Sequence, residues 1–477
     1  MTRPLTRSHA LALGLILLAI AGGAVARAQT IGSNTHVSAD ENGYVANANR
    51  MLSGERYATF KWPPGTSVAF AVATGLSGHH SLRLTTHATG PAQYTQLAIG
   101  ILSLALVAAL TWLVAGPWAA VIATALVASY EPLIEATRTF LSEPSGAFVL
   151  LAAVGAAVLA RKRLRDPVRS GEPSEAGEST RARRVWPGGA REPVALATAG
   201  AIGGAACLTR GDLAVGMGLL ALALALAGRP GWRLSALRGG VYLAALLLVL
   251  APWLAYASAT DGRFVPITDA GTDAFFIGTY LPGKGLLVPT EEQLAPEVCR
   301  HFPADCGRYW QHGSAPLFRL IQARHPGMSE HAAVNAENLQ NLRKYALGKP
   351  AAFVSMLWGK FWKMWTNVWS GGNGTYHPST SQTQHVIYLW LAWIGLLAGA
   401  MLTRRFALVA SAGVLLSVAV LATAFNDQPR YNVSLMALLL SAGVAGWWLT
   451  GERLLALRQA FRAGDEPVAV PSAHTAR

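Results

Sequence analysis

Residues 95–134 read TQLAIGILSLALVAALTWLVAGPWAAVIATALVASYEPLI, and Glu131 is the only charged residue among them. A helix rises about 1.5 Å per residue, so a hydrocarbon core of about 30 Å takes about 20 apolar residues to cross. The run is long enough for two crossings. Gly116-Pro117 at its middle marks the turn, because proline cannot continue the first helix and suits the start of a second. The stretch therefore reads as a membrane hairpin, 95–114 and 117–134. Eight further stretches follow the same pattern: 10–28, 145–160, 192–209, 213–228, 239–257, 385–403, 406–424 and 432–450. The expected fold is an all-α polytopic membrane protein of about ten transmembrane helices within residues 1–460, followed by a tail, 461–477. Composition agrees, since 52% of the 477 residues are hydrophobic and 13% charged, against about 25% charged in soluble domains. A soluble enzyme, a disordered chain and a disulfide scaffold are excluded.

The charges give the orientation. Arg3 and Arg7 precede span one; Arg161, Lys162, Arg163, Arg165, Arg169, Arg181, Arg183, Arg184 and Arg191 follow span four. Arg229, Arg233 and Arg238 separate spans six and seven, Arg404 and Arg405 divide eight from nine, and Arg453, Arg458 and Arg462 follow ten. With ten spans every cluster falls on one side, which the positive-inside rule assigns to the cytoplasm. The net charge of +14 thus records topology, and no nucleic acid is expected as a partner. The chain reads as a multi-pass protein of a bacterial cytoplasmic (inner) membrane. Ala26-Arg27-Ala28 at the end of span one also fits a cleavable signal peptide; the retained span is the reading adopted.

Two large segments then face outward, 29–94 and 258–384. In the first, Tyr44, Ala48, Met51 and Leu52 recur at helical spacing before Gly54, which predicts an amphipathic helix in the interface. In the second, Trp358, Trp362, Trp365 and Trp369 form a stripe suited to the headgroup layer. Cys299 and Cys306, seven apart in the same outer segment, are candidates for a disulfide. The Arg-rich stretch 161–191, mixed with Pro, Gly, Ser and Glu, reads as a cytoplasmic linker.

The outer side also holds the groups that could do chemistry. Asp40 and Glu41 are adjacent carboxylates near an interface, a costly place unless a cation, a metal or a substrate hydroxyl meets them; acidic residues in a helix's first turn are the plainer explanation. Glu143, in Ser142-Glu143-Pro144, faces the same compartment before span four. Lys61, Arg210 and Arg430 are basic groups on that side, away from the cytoplasmic clusters. Single outer arginines often snorkel, but three cations from distant parts of the chain at one depth point to an anion site. His79, His80 and His87 lack carboxylate or cysteine companions at ligating spacing, and no metal site is expected from them.

In this order and placement the chain resembles the GT-C class of integral membrane glycosyltransferases, in particular the family 39-like group of protein O-mannosyltransferases and lipid A aminoarabinose transferases. The resemblance spans roughly residues 5–450. It is carried by Asp40-Glu41 with Tyr44, Gly54-Glu55-Arg56-Tyr57, Lys61-Trp62-Pro63-Pro64, Arg138, Ser142-Glu143-Pro144, Leu208-Thr209-Arg210, Pro252-Trp253 and Arg430-Tyr431. It implies transfer of a sugar from a polyprenyl-phosphate donor to an acceptor at the outer leaflet. Asp40 would act as base, with Glu41 beside it, and Lys61 would contact the lipid phosphate. Arg210, Arg430 and Tyr431 would lie near the donor, and Tyr44, Arg56, Tyr57 and Arg138 around the substrates. Glu143 stands where many relatives carry Asp, leaving it open to orient the acceptor, hold a sugar amine or bind a cation.

The chemistry needs groups of this kind. Breaking the bond from anomeric carbon to phosphate leaves negative charge on the departing oxygen, which preorganised cations stabilise, while a carboxylate accepts the proton of the attacking hydroxyl. One displacement without a protein nucleophile inverts the anomeric centre. No cofactor is required, although the acidic pair could hold a divalent cation. The acceptor, whether lipid, glycan or protein, is not encoded in any readable motif. The alternative is a transporter or flippase of a lipid-linked or anionic substrate, for which ionisable groups at mid-membrane and broken helices would be the signature.

Overall fold

A computed structural model describes residues 7–34, 37–57, 59–85, 90–165, 191–228, 231–306, 315–368, 380–425 and 430–462. Most of the linker 161–191 and nearly all of the tail lie outside the described residues, as do His87, Trp369 and Asp427-Gln428-Pro429. Among the described residues eight helices are long and apolar enough to cross a membrane. In chain order the helices are α1 (Arg7–Ala28), α2 (Ala39–Leu52), α3 (Pro64–Leu76), α4 (Pro91–Ala115), α5 (Pro117–Ala128), α6 (Glu131–Ala136), α7 (Glu143–Arg165), α8 (Arg191–Thr209), α9 (Ala214–Ala225) and α10 (Trp232–Asp261). Then come α11 (Ala270–Thr279), α12 (Leu287–His301), α13 (Ala315–Arg324), α14 (Glu330–Asn341), α15 (Pro350–Thr366), α16 (Thr380–Thr403), α17 (Phe406–Ala424) and α18 (Arg430–Arg462).

The full spans are α1, α4, α7, α8, α10, α16, α17 and α18. The two other expected crossings, 117–134 and 213–228, are α5 and α9, each with only 12 residues. At about 1.5 Å per residue each covers about 18 Å, short of the hydrocarbon thickness. Local chemistry sets their lengths. Gly116, at φ +92°, turns the chain, and Pro117 starts α5; Pro132 then restarts the chain as α6. Gly228, at φ +81°, stops the chain after α9, which opens from the 3-10 turn Gly211–Leu213.

The bundle is built around α18, most of which is buried, whereas α1 lies at the periphery. Lipid supplies no hydrophobic drive between helices, so close approach through small residues carries association. A Cβ on Gly446 would come within 2.0 Å of the Gly395 carbonyl, so α16 and α18 touch backbone to backbone there. Arg27, buried near the end of α1, donates to the carbonyls of Val127 and Ala128, both at 3.3 Å, closing the C-terminus of α5.

Between α10 and α16, helices α11–α15 include a small apolar cluster of their own around Phe276, Leu294, Val298, Phe318, Ile321 and Val334. A disulfide joins Cys299 and Cys306, with Cα atoms 4.6 Å apart. The tryptophan stripe on α15 divides. Trp358 is exposed, but Trp365 is buried against Trp393, because α15 turns that face onto the bundle. The loop after α1, the first turn of α7, the end of α8 and the first turn of α18 all lie at one end of the bundle. The basic residues at the end of α7, between α16 and α17, and at the end of α18 lie at the other.

Candidate active site

At the first of these ends lies a cavity of about 580 Å³. Six segments far apart in sequence bring charged side chains to its wall. Asp40 comes from the first turn of α2, which starts at Ser38 through a reciprocal cap: the Ser38 hydroxyl accepts from the Glu41 backbone N–H, and the Glu41 carboxylate accepts from Ser38 N–H. Glu143 opens α7, where a carboxylate suits the helix dipole. Arg210 follows α8, and Arg430 and Tyr431 open α18. Lys61 precedes Pro63-Pro64, which set the start of α3.

These groups form one network. Asp40 pairs with Arg430 and accepts a 3.0 Å bond from the Trp62 indole N–H. Glu143 is 2% exposed, and its Oε1 lies 3.6 Å from both Arg210 and Arg430. Its Oε2 is buried without a hydrogen-bond partner. Arg210 grips Asp212 with two bonds, 3.1 and 2.7 Å. Its guanidinium carbon lies 5.4 Å from the centre of the Tyr431 ring and that of Arg430 lies 5.8 Å from it, so both cations use the π face. Lys61 bonds to Asp273 of α11 at 3.0 Å and lies 5.5 Å from the Phe318 ring centre.

Burial and pairing compete in these groups. Burial pushes the Asp40 carboxyl upward, but Arg430 and the Trp62 bond outweigh it and hold Asp40 below the usual carboxylate range. Asp273 goes the other way: burial raises it, and Lys61 only partly offsets that. Burial raises the Tyr44 hydroxyl, which is hydrogen-bonded to Ser142 and feels Glu143 and Asp40, so it stays protonated. Four carboxylates, Asp40, Glu143, Asp212 and Asp273, face three cations on the cavity wall.

Of the residues singled out in the sequence, Asp40, Tyr44, Lys61, Glu143, Arg210, Arg430 and Tyr431 line the cavity together. Four do not. Glu41, 2% exposed, turns away: its carboxylate accepts from Asn34 at 3.0 Å and from the Phe140 N–H at 2.9 Å, tying α2 to the segment before α7. Neighbours on a helix point about 100° apart, so an adjacent acidic pair cannot share one small site easily. Arg56 is exposed. Tyr57 is buried against Phe60 and Trp253. Arg138 is paired with Glu135 at 2.6 Å. Trp253 in turn donates to the Ile267 carbonyl at 3.0 Å, fixing a segment that lines the cavity.

The sequence reading missed Asp212, Asp273 and Phe318. Asp212 was within view, two residues past Arg210 across a 3-10 turn; Asp273 and Phe318 belong to the outer segment and carry no local signal. Among the described residues no group of three or more His, Cys, Asp or Glu could hold a metal ion. The guanidinium of Arg430 lies against both Asp40 and Glu143, the carboxylates that would otherwise chelate one.

No known family profile matches the sequence, and no curated protein does. Among solved structures the chain is similar to the archaeal oligosaccharyltransferase AglB from Archaeoglobus fulgidus in complex with an inhibitory peptide and a dolichol-phosphate. The identity is 15% and the TM-score 0.52, over 95% of this chain and 52% of that one. The apo form of the A. fulgidus oligosaccharyltransferase gives 16% and 0.52 over the same shares. ArnT from Cupriavidus metallidurans bound to undecaprenyl phosphate gives 18% identity and a TM-score of 0.38, over 94% of this chain and 80% of that one. The chain spans about half the length of the oligosaccharyltransferase structures it matches. At these identities the likeness is one of fold: the chain has the all-helical membrane architecture of the oligosaccharyltransferase structures.

Proposed function

We propose that the protein is a membrane glycosyltransferase that moves a sugar from a polyprenyl phosphate to a hydroxyl of a lipid, glycan or protein acceptor, with inversion. The observation that carries the reading is the convergence of Asp40, Lys61, Arg210 and Arg430 on one cavity at one end of a membrane bundle. The clusters of basic residues at the ends of α7 and α18 and between α16 and α17 lie at the opposite end, which by the positive-inside rule supports an outer-face position for the cavity in a bacterial inner membrane. The oligosaccharyltransferase of the same fold was solved with a dolichol-phosphate, a lipid of the proposed donor class. Charged groups at the bundle's end favour chemistry at the surface over transport through mid-membrane.

In the proposed reaction the acceptor oxygen bonds to the anomeric carbon as the bond from that carbon to the phosphate oxygen breaks. The electron pair stays on the phosphate, facing Lys61, Arg210 and Arg430, and the hydroxyl proton passes to Asp40. A preorganised cation in such a place contributes on the order of 3 kcal/mol, and a positioned base about 10²- to 10⁴-fold. Glu143, with its unpaired Oε2, is placed to accept a hydrogen bond from a sugar or acceptor hydroxyl. The reading calls for no cofactor.

The test supplies purified protein with a panel of labelled polyprenyl-phosphate sugars of known anomeric configuration. Release of one sugar to an acceptor, with inverted configuration in the product, is the expected result. Retention of configuration, or a trapped glycosyl-enzyme, refutes the single displacement; no transfer from any member of the panel refutes the donor class.

A further inference from the structure

Every cation on the cavity already has a carboxylate partner. Arg210 holds Asp212, Lys61 holds Asp273, and Arg430 holds Asp40. With four carboxylates against three cations, the described residues of the lining carry a formal charge of −1, so an arriving lipid phosphate meets no free cation among them. At least one pair must open for it to bind.

The three pairs are not equally able to do so. Arg210–Asp212 is a local, two-pronged contact on a side chain only 6% exposed, with Glu143 as a further counter-charge. Its geometry is over-determined. Lys61 is 40% exposed on a flexible stem, so it can swing to a phosphate without changing the rest of the site. Arg430–Asp40 differs from both, because each partner has a second position ready. Asp40 keeps the 3.0 Å bond from Trp62 when Arg430 leaves. Arg430 lies 3.6 Å from Glu143, whose buried Oε2 has no hydrogen-bond partner. The pair also joins residues 390 apart in the chain, so its opening couples α2 to α18.

We propose that the Asp40–Arg430 ion pair is a lock on the empty enzyme, and that a polyprenyl-phosphate headgroup opens it by taking the Arg430 guanidinium, which frees Asp40 to face the acceptor hydroxyl. The inference rests on the proposed glycosyltransferase function and adds an order to it: the base becomes competent only after the donor phosphate is seated. The groups around Asp40 fit this use. Trp62 and Tyr44 meet it from the first outer segment and Arg430 and Tyr431 from α18, while Glu143 of α7 and Arg210 at the end of α8 share the cavity wall with it. Once Arg430 turns to the phosphate, the remaining negative neighbours and burial both raise the affinity of Asp40 for a proton. The acceptor proton then goes to Asp40 as the phosphate departs with the electron pair beside Arg430.

A counterintuitive result follows. Asp40→Asn removes the competitor for Arg430 and tightens binding of the lipid phosphate while it abolishes transfer. Undecaprenyl phosphate binding to purified protein in nanodiscs, measured for the parent, Asp40→Asn, Arg430→Gln and the double variant, reads this out. The expected gain in Asp40→Asn is roughly fivefold, the upper scale of a partly exposed ion pair. It vanishes in the Arg430→Gln background, as a double-mutant cycle requires; Asp40→Ala replaces the asparagine variant if that one does not fold. If the parent binds and transfers but neither Asp40 variant binds more tightly, the lock is overturned and the function stands. If the folded parent neither binds the lipid phosphate nor transfers a sugar, the functional reading falls and the lock with it.

Discussion

A single methyl group at Gly43 separates helix stability from site geometry. A Cβ there would lie 2.5 Å from two carbons of the Trp62 ring and 2.6 Å from a third, where an ordinary carbon–carbon contact is about 3.5–4.0 Å. The ring must retreat by about 1 Å, and its N–H is the donor that holds Asp40. Two effects oppose each other in Gly43→Ala. Alanine within α2 is favoured over glycine by about 1 kcal/mol. Overpacking against an aromatic ring costs about 1–3 kcal/mol, and a weakened bond to an ionised group adds about 1.5–3 kcal/mol if it is lost outright. The net effect on stability is thus destabilising by about 1–3 kcal/mol, since the ring can relax partly into the cavity. The effect on turnover is larger, because a base displaced by about 1 Å loses about 10²-fold in rate. The assay is kcat for sugar transfer beside a thermal unfolding curve, with Gly14→Ala, where an added Cβ meets nothing within 4 Å, as the control. A Gly43→Ala protein that is more stable than the parent and just as active would refute the claim that Trp62 positions Asp40.

Further outcomes follow from the same geometry. Lys61→Ala should lower kcat by about 10²-fold, on the order of 3 kcal/mol, with Lys61→Arg recovering part of it; an unchanged kcat would remove Lys61 from the leaving-group site. Glu41→Gln should destabilise the protein by about 1–3 kcal/mol, because Glu41 binds Asn34, Ser38 and Phe140. Loss of transfer at unchanged stability would return Glu41 to the chemistry. Burial pushes Glu291 on α12 up to about 7, from an ordinary 4.5. Its contribution to stability is therefore complete below pH 4.5 and is lost as pH rises through 7. Glu291→Gln should raise the unfolding temperature at pH 8 and leave it nearly unchanged at pH 4, an effect of about 1 kcal/mol after solvent screening, and equal shifts at both pH values would contradict it. Chelation should leave transfer unaltered, since Arg430 lies against both Asp40 and Glu143; loss on chelation and rescue by a divalent cation would show that a metal takes its place.

The parts legible in the sequence were those written in local chemistry. Apolar runs of membrane length gave the spans, and Gly116-Pro117 gave the hairpin. The lengths of α5 and α9 were harder to read, because apolar residues continue past Ser129 and Ala225, where the helices end. Proline at 132 and glycine at 228 were the available signals. In the candidate site, Asp40, Glu143, Lys61, Arg210 and Arg430 could be suspected from sign and side of the membrane alone. That logic could not separate Asp40 from Glu41, which share a side and differ only in azimuth on α2. Nor could it set aside Arg138, whose partner Glu135 is three residues away on the same short segment. Asp273 reaches the cavity only because α11 packs over it, a contact across 212 residues that no local pattern announces.

The central claim is that this cavity seats the phosphate of a lipid-linked sugar. The most direct measurement is a cryo-electron microscopy structure of the protein in nanodiscs with undecaprenyl phosphate. The account expects phosphate density within hydrogen-bond reach of Lys61 and Arg430, with the prenyl chain leaving the cavity toward the bilayer and Asp40 parted from Arg430. Phosphate density at the basic end of the bundle, with the Asp40–Arg430 pair intact and the cavity unchanged, would contradict it.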